Sequence, residues 1–124
     1  HAPTRFLIND FCVARAIPWI YTGVAGGEGL ILPVLPPGGP CLRCLYPEPP
    51  EPDETANCLT DGILPMTVAM AASLQIAQAV RVLNGTAEPG TLIRFNVWSA
   101  ALRRVRLERL PDCPGCGGKE RERT

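Results

Sequence analysis

Six cysteines stand in this chain of 124 residues, and four form two C-x-x-C pairs. Cys41 and Cys44 lie in "PCLRCLYP", Cys113 and Cys116 in "DCPGCGG". A C-x-x-C turn is tight enough for both sulfurs to bind one metal ion, and two such turns complete a tetrahedral thiolate site. A closed four-sulfur site leaves no position open for catalysis, so its chemistry is that of a structural zinc clamp. Disulfides or two separate reactive pairs are the alternatives, and a redox C-x-x-C is the competitor for either pair alone. Two such pairs, each in a loop that follows a strand, favour the clamp. The gap between them is far wider than in a single zinc ribbon, so the fold must bring the two loops together.

The other two cysteines differ. Cys12 falls on the apolar stripe of a helical pattern and is expected to be buried as a small hydrophobe. Cys58, in "TANCLTDGILP", follows an acidic proline-rich stretch and precedes a helix, where N–H ends lower a thiol pKa. Its two readings are a reactive thiol and a semi-buried loop residue.

These residues need a scaffold. The length allows one core and not two full domains. Apolar residues make up 46 % and charged residues 19 %, the balance of a folded chain. Formal net charge is zero, which argues against a general nucleic-acid binder or a partner of anionic membranes. No apolar run reaches the eighteen or so residues of a membrane span. "HAPTRFLIND" lacks the features of a signal peptide, and a cytoplasmic setting is expected. It also lacks a starting Met and reads as a processed, cut or partial chain.

Periodicity predicts a helix over 4–16, stopped by Pro18, then strands over 18–25 and 29–35. Residues 46–57, "YPEPPEPDETAN", carry no apolar period and are expected to be an extended, mobile surface segment. A helix, single or broken, is predicted over 64–83, with an apolar stripe of Ala72, Ile76, Val80 and Leu83 opposite Gln75, Gln78 and Arg81. Asn84-Gly85 ends it. Residues 90–110 alternate around "WSAA" as an antiparallel hairpin with one wet face. Arg103, Arg104, Arg106 and Arg109 form only a short basic stripe on it, too little for a nucleic-acid module.

Taken together, "TRFLINDFCVARAIPWI", "PCLRCLYPEPP", "NCLTDGIL", "ASLQIAQAVRVLNG" and "DCPGCG" resemble the ThiF/MoeB/HesA family, bacterial relatives of ubiquitin-activating enzymes. The motifs stand in the family's order and cover the chain up to its "KERERT" tail, but they match only the second half of the family's domain. The resemblance implies an α/β fold: the C-terminal half of a Rossmann-like domain over 1–118, with a mixed sheet, an antiparallel hairpin, helices on the faces and a charged tail at 119–124. The Gly-rich nucleotide loop, the phosphate-holding Arg and Lys residues and the catalytic Asp of the family have no counterpart in 1–124. "GGEG" at 26–29 is no substitute, because it precedes a strand rather than joining strand to helix.

The resemblance further implies that the parent enzyme uses ATP and magnesium to adenylate the C-terminal Gly-Gly of a ubiquitin-like sulfur carrier. Sulfur then attacks the acyl-adenylate to give a thiocarboxylate. Cys41, Cys44, Cys113 and Cys116 match the family's zinc ligands, and Cys58 matches the cysteine that accepts sulfur or links covalently to the carrier in ThiF-like members. Residues 46–57 match the crossover loop over the carrier's tail, and the assembly is expected to be a homodimer. Gln78, where the family commonly has Glu, and Pro65-Met66, in place of a usual Gly-Pro pair, depart from the pattern near the expected dimer axis. On this reading 1–124 alone is inactive. The alternative is a non-catalytic, zinc-stabilised module that binds a ubiquitin-like protein while another chain does the chemistry.

Overall fold

The computed structural model describes residues 2–48 and 62–117. The chain runs α1 (Ala2–Ala14), β1 (Trp19–Ala25), β2 (Glu28–Val34), α2 (Leu42–Leu45), α3 (Pro65–Leu83), β3 (Thr91–Asn96) and β4 (Ala101–Arg106). Helix α1 ends where Ala16 takes a left-handed conformation (φ 56°) and Ile17 N–H reaches back to the Cys12 carbonyl at 2.8 Å. Pro18 then prevents renewal of the helix.

The four strands form one sheet in the order β1-β2-β3-β4. Every neighbouring pair is antiparallel. The expected mixed sheet is therefore corrected among the described residues, where the one parallel pairing is an isolated bridge between Gly26 and Ile63. The cause is local. A two-residue turn, Gly26-Gly27, folds β2 back on β1, and residues 97–100 fold β4 back on β3. Gly26 supplies the positive φ (58°) that the first turn requires.

Both faces of the sheet are covered, and β2 is buried from Gly29 onward. On one face Leu30, Leu32, Val34 and Leu92 pack with Cys41, Cys44, Cys113 and Cys116, beside Trp19, Tyr21 and Val13. On the other face Ile31, Ile93 and Phe95 pack against Ala71, Met70 and Leu74 of α3. The alternation of β3 thus sends Leu92 to the cysteines and Ile93 to α3. Edge strand β4 is exposed throughout, and its arginines blunt it against further strand pairing.

Helix α3 is a single helix that starts with Pro65 at its first position and ends at Asn84-Gly85, with Gly85 at φ 77°. Its orientation differs from the expected one. Thr67, Ala71 and Gln78 are buried, whereas Ile76, Val80 and Leu83 are 64 %, 52 % and 86 % exposed. The helix is apolar nearly all round, so periodicity does not single out the face that meets the sheet. Small and polar side chains do so instead: Thr67 Oγ1 donates to the Gly26 carbonyl at 2.9 Å and pins the helix start to the β1–β2 turn. By length and apolar composition α3 also passes as a membrane span, contrary to the expectation that no segment would. One face of it packs on β1 and β2, and the rest is exposed.

Candidate metal centre

Each cysteine pair makes its own turn. Cys41 precedes α2 as its N-cap, and Cys44 lies inside that single turn of helix. Cys44 Sγ accepts the Cys41 N–H at 3.5 Å. In the second turn Cys113 Sγ accepts N–H groups from Gly115 at 3.4 Å and from Cys116 at 3.5 Å. Glycine is required here: a Cβ on Gly117 would stand 2.5 Å from the backbone N and O of Cys113.

The sheet brings the two turns together across 72 residues of sequence, with Cys41 Sγ 3.6 Å from Cys113 Sγ and Cys44 Sγ 3.4 Å from Cys116 Sγ. All four sulfurs lie within 4.8 Å of one another and all four residues are buried. A tetrahedron of metal–sulfur bonds of about 2.3 Å has edges of about 3.8 Å, so the spacing suits one ion. Bonded sulfurs would be about 2.0 Å apart. These cysteines are free thiols, and the disulfide alternative does not describe this structure.

The sulfurs are electrostatically coupled. Hydrogen bonds from Cys116 and then Cys41 pull the Cys44 thiol well below its ordinary pKa. Sharing a proton with Cys41 and Cys44, together with burial, pushes Cys116 far up. The protons are thus shared unevenly between Cys44 and Cys116, and a bound cation would favour the ionised sulfurs.

Helix α1 braces the cluster through residues that the sequence reading did not single out. Asn9 is fully buried, and its Oδ1 accepts the Leu42 N–H at 3.0 Å and Trp19 Nε1–H at 3.3 Å. Asp10 accepts two hydrogen bonds from Arg43, the residue between the first two cysteines, and Arg43 also lies over the Phe6 ring at 5.0 Å. Asp10 raises the Arg43 pKa further, and the nearby Cys41 and Cys113 add to the rise. The signal was present: Asn9 shares a helical stripe with Phe6 and Cys12, all buried, and a polar residue on a buried stripe needs a polar reason.

Cys12 is buried in α1, as expected. Cys58 and residues 49–57 of the expected mobile segment lie outside the described residues. At the near end of that segment Tyr46 is partly buried, and burial lifts its phenol pKa, with Tyr21 adding to the shift and Arg94 opposing it. Tyr21 also accepts a hydrogen bond from Arg5 at 3.4 Å. Three arginines of the hairpin stripe have internal partners. Arg104 pairs with Glu88, Arg106 pairs with Glu108, and Arg109 donates to the Cys116 carbonyl.

Comparison with known proteins places this arrangement. The ThiF family matches residues 1–115. The SAMP-activating enzyme E1 of Haloferax volcanii is 36 % identical over 117 residues, which cover 93 % of this chain and 43 % of that protein. The sulfur carrier protein adenylyltransferase of Thermus thermophilus is 33 % identical over 128 residues, covering 98 % and 47 %. Among solved structures, E. coli MccB with succinimide aligns with a TM-score of 0.72 at 18 % identity, over 93 % of this chain and 36 % of that one. That last likeness speaks for the fold alone. The chain spans a little under half the length of these relatives, and by the match over nearly its whole length it belongs to the ThiF family.

Proposed function

We propose that this chain is the metal-binding, substrate-facing half of an ATP-dependent adenylyltransferase that activates the C-terminal Gly-Gly of a ubiquitin-like sulfur carrier protein. The observation that carries the reading is the family match over 1–115, joined by relatives of 33–36 % identity named for activating or adenylylating such partners. Four buried thiols with near-tetrahedral spacing suit zinc, which when bound would supply charge neutralisation and cross-linking and no reaction step. Cys41 and Cys44 would hold the α2 turn, and Cys113 and Cys116 would hold the segment after β4 against it. ATP and magnesium belong to the parent enzyme, whose nucleotide-binding residues have no counterpart in 1–124.

Cys58 is the residue we assign to covalent chemistry after adenylation, by its match to the family's motif. A homodimer, placed in the cytoplasm, completes the reading. The exposed Ile76, Val80 and Leu83 of α3 support it as a face left for another chain.

The test is carrier-dependent exchange of pyrophosphate into ATP by the parent protein. Exchange should require the carrier and vanish when the carrier's terminal glycine is removed. Carrier binding without any exchange would overturn the adenylyltransferase reading in favour of a non-catalytic binding module.

A further inference from the structure

The four sulfurs are unevenly served by N–H groups. Cys113 Sγ accepts two backbone N–H groups, from Gly115 and Cys116. Cys44 Sγ accepts the Cys41 N–H and is also favoured by the backbone of Leu110. Cys116 is favoured by the side chain of Arg109. Among the described residues Cys41 Sγ faces only the Cys44 N–H, which it shares with the Cys41 carbonyl at 3.0 Å, and its other polar neighbours are the sulfurs of the cluster.

A spare donor lies beside it. The two N–H groups that Asn9 Oδ1 accepts fix which way the amide faces, because only the oxygen can take both. Its Nδ2 is then buried with no partner. An unsatisfied buried amide is costly, so it calls for an explanation. Gly115 separates this nitrogen from Cys41. A Cβ on Gly115 would lie 3.0 Å from Cys41 Sγ and 3.3 Å from Asn9 Nδ2. Only glycine leaves the space between amide and sulfur open.

We infer that Asn9 is a positioning residue for the metal centre, its Nδ2–H donating to the Cys41 thiolate when the four sulfurs hold an ion. The inference rests on the metal-binding reading above. A thiolate is a far better acceptor than a thiol, so the unpaired amide gains a strong partner once the cluster is ionised. The sulfurs, spread over as much as 4.8 Å, must also shift to reach edges of about 3.8 Å around one ion. Asn9 would then join three parts of the fold at one side chain: Trp19 on β1, Leu42 at the start of α2, and the metal cluster.

The experiment loads the 1–124 protein with cadmium-113 and looks for scalar coupling from amide protons to the metal through N–H···S bonds. The backbone amides of Gly115 and Cys116 serve as internal references. Coupling at the Asn9 side-chain amide is the expected result. Cadmium bound with the reference couplings present and the Asn9 coupling absent, as with a buried water taking the Nδ2 proton, overturns this inference alone. Failure to take up cadmium overturns the metal site and this inference with it. A second measurement uses variants. Asn9→Asp keeps the accepting oxygen and loses the donor, and should release metal to a chelator about 10–100-fold more readily. It should also move the sulfur-to-cobalt charge-transfer band of the cobalt form. Trp19→Phe removes only a bond to the oxygen and should leave that band in place. An unmoved band in Asn9→Asp, or an equal movement in Trp19→Phe, overturns the donor role.

Discussion

Asp10 and Arg43 hold each other through two parallel hydrogen bonds, Nε to Oδ1 at 2.8 Å and a terminal nitrogen to Oδ2 at 2.9 Å. The fork joins α1 to the residue between the first two cysteines, so it fixes the orientation of a turn whose sulfurs must converge. Exposed ion pairs contribute little, but a two-bond fork on an arginine that also lies over Phe6 belongs at the upper end. Asp10→Ala should lower stability to urea by about 1 kcal/mol. Arg43→Lys should not preserve it, because an ammonium can neither fork nor lie flat over a ring. Equal midpoints for Arg43→Lys and the unmodified chain would show the pair to be incidental.

The two glycines of the second turn should differ in cost. At Gly117 an added methyl meets the Cys113 backbone at 2.5 Å, where nothing flexible can yield. At Gly115 the nearest atoms are the Cys41 sulfur and the Arg43 side chain, at 3.0 and 3.2 Å. Gly117→Ala should therefore abolish stoichiometric metal binding, while Gly115→Ala should weaken it. Elemental analysis of both proteins after dialysis against a mild chelator decides the order.

A cross-strand pair sets a similar test within the sheet. Gly29 is the register partner of Phe95, and a Cβ on Gly29 would meet the Phe95 ring at 2.1 Å. Gly29→Ala should cost about 1–3 kcal/mol, as overpacking does in a tight core. Combining it with Phe95→Leu should cost less than the sum of the two single changes, since the clash goes with the ring. Additive losses in a double-mutant cycle would mean that the backbone, and not the ring, sets the constraint.

Tyr46 adds one contribution to the loss of stability at alkaline pH. Its folded pKa is raised, so the folded protein holds the phenol proton more tightly than the unfolded chain does. That contribution is complete below the ordinary tyrosine pKa of about 10 and is lost as pH rises through the higher folded value. Tyr46→Phe should make the fall in stability above about pH 10 shallower. Denaturation midpoints on either side of that pH, compared between the two proteins, provide the check.

The five described cysteines are all buried. With an ion on four of them and Cys12 inside α1, Cys58 is expected to react first with a mild alkylating reagent, as ranked by peptide mass mapping. On the proposed role, Cys58→Ala in the parent enzyme should leave carrier adenylation intact and reduce sulfur transfer, because that role places the thiol after adenylate formation. Undiminished transfer would assign Cys58 a structural role.

Much of this architecture is legible in the residues. Alternation in "TLIRFNVW" shows the β3 faces, Asn84-Gly85 marks the end of α3, and the helix expected from 64 starts one residue later at Pro65. The pairing of the two C-x-x-C turns follows from their number. What periodicity could not supply was the choice between two apolar faces of α3, since hydrophobicity alone favours Ile76 and Val80, yet the sheet takes the small side chain of Ala71. A single hydroxyl, Thr67 on the Gly26 carbonyl, settles it, and that bond exists only once the β1–β2 turn is in place. Asn9 is marked by its place on the Phe6–Cys12 stripe, but its partners are 10 and 33 residues away and no local pattern names them.

The span between the two cysteine pairs has a consequence for the integrity of the polypeptide. Cys41 and Cys113 are 72 residues apart, so an ion held between them closes most of the chain into a ring. A covalent link of that span restricts the unfolded ensemble by about 4 kcal/mol, and a metal–thiolate link acts in the same sense while it lasts. The carbonyls and amides in that ring are continuous, yet their continuity is no longer what holds the two ends together. A protease that cuts once between Cys44 and Cys113 would leave, with the ion in place, a particle heavier only by the water consumed. The cut would become visible as two pieces only when the metal is stripped.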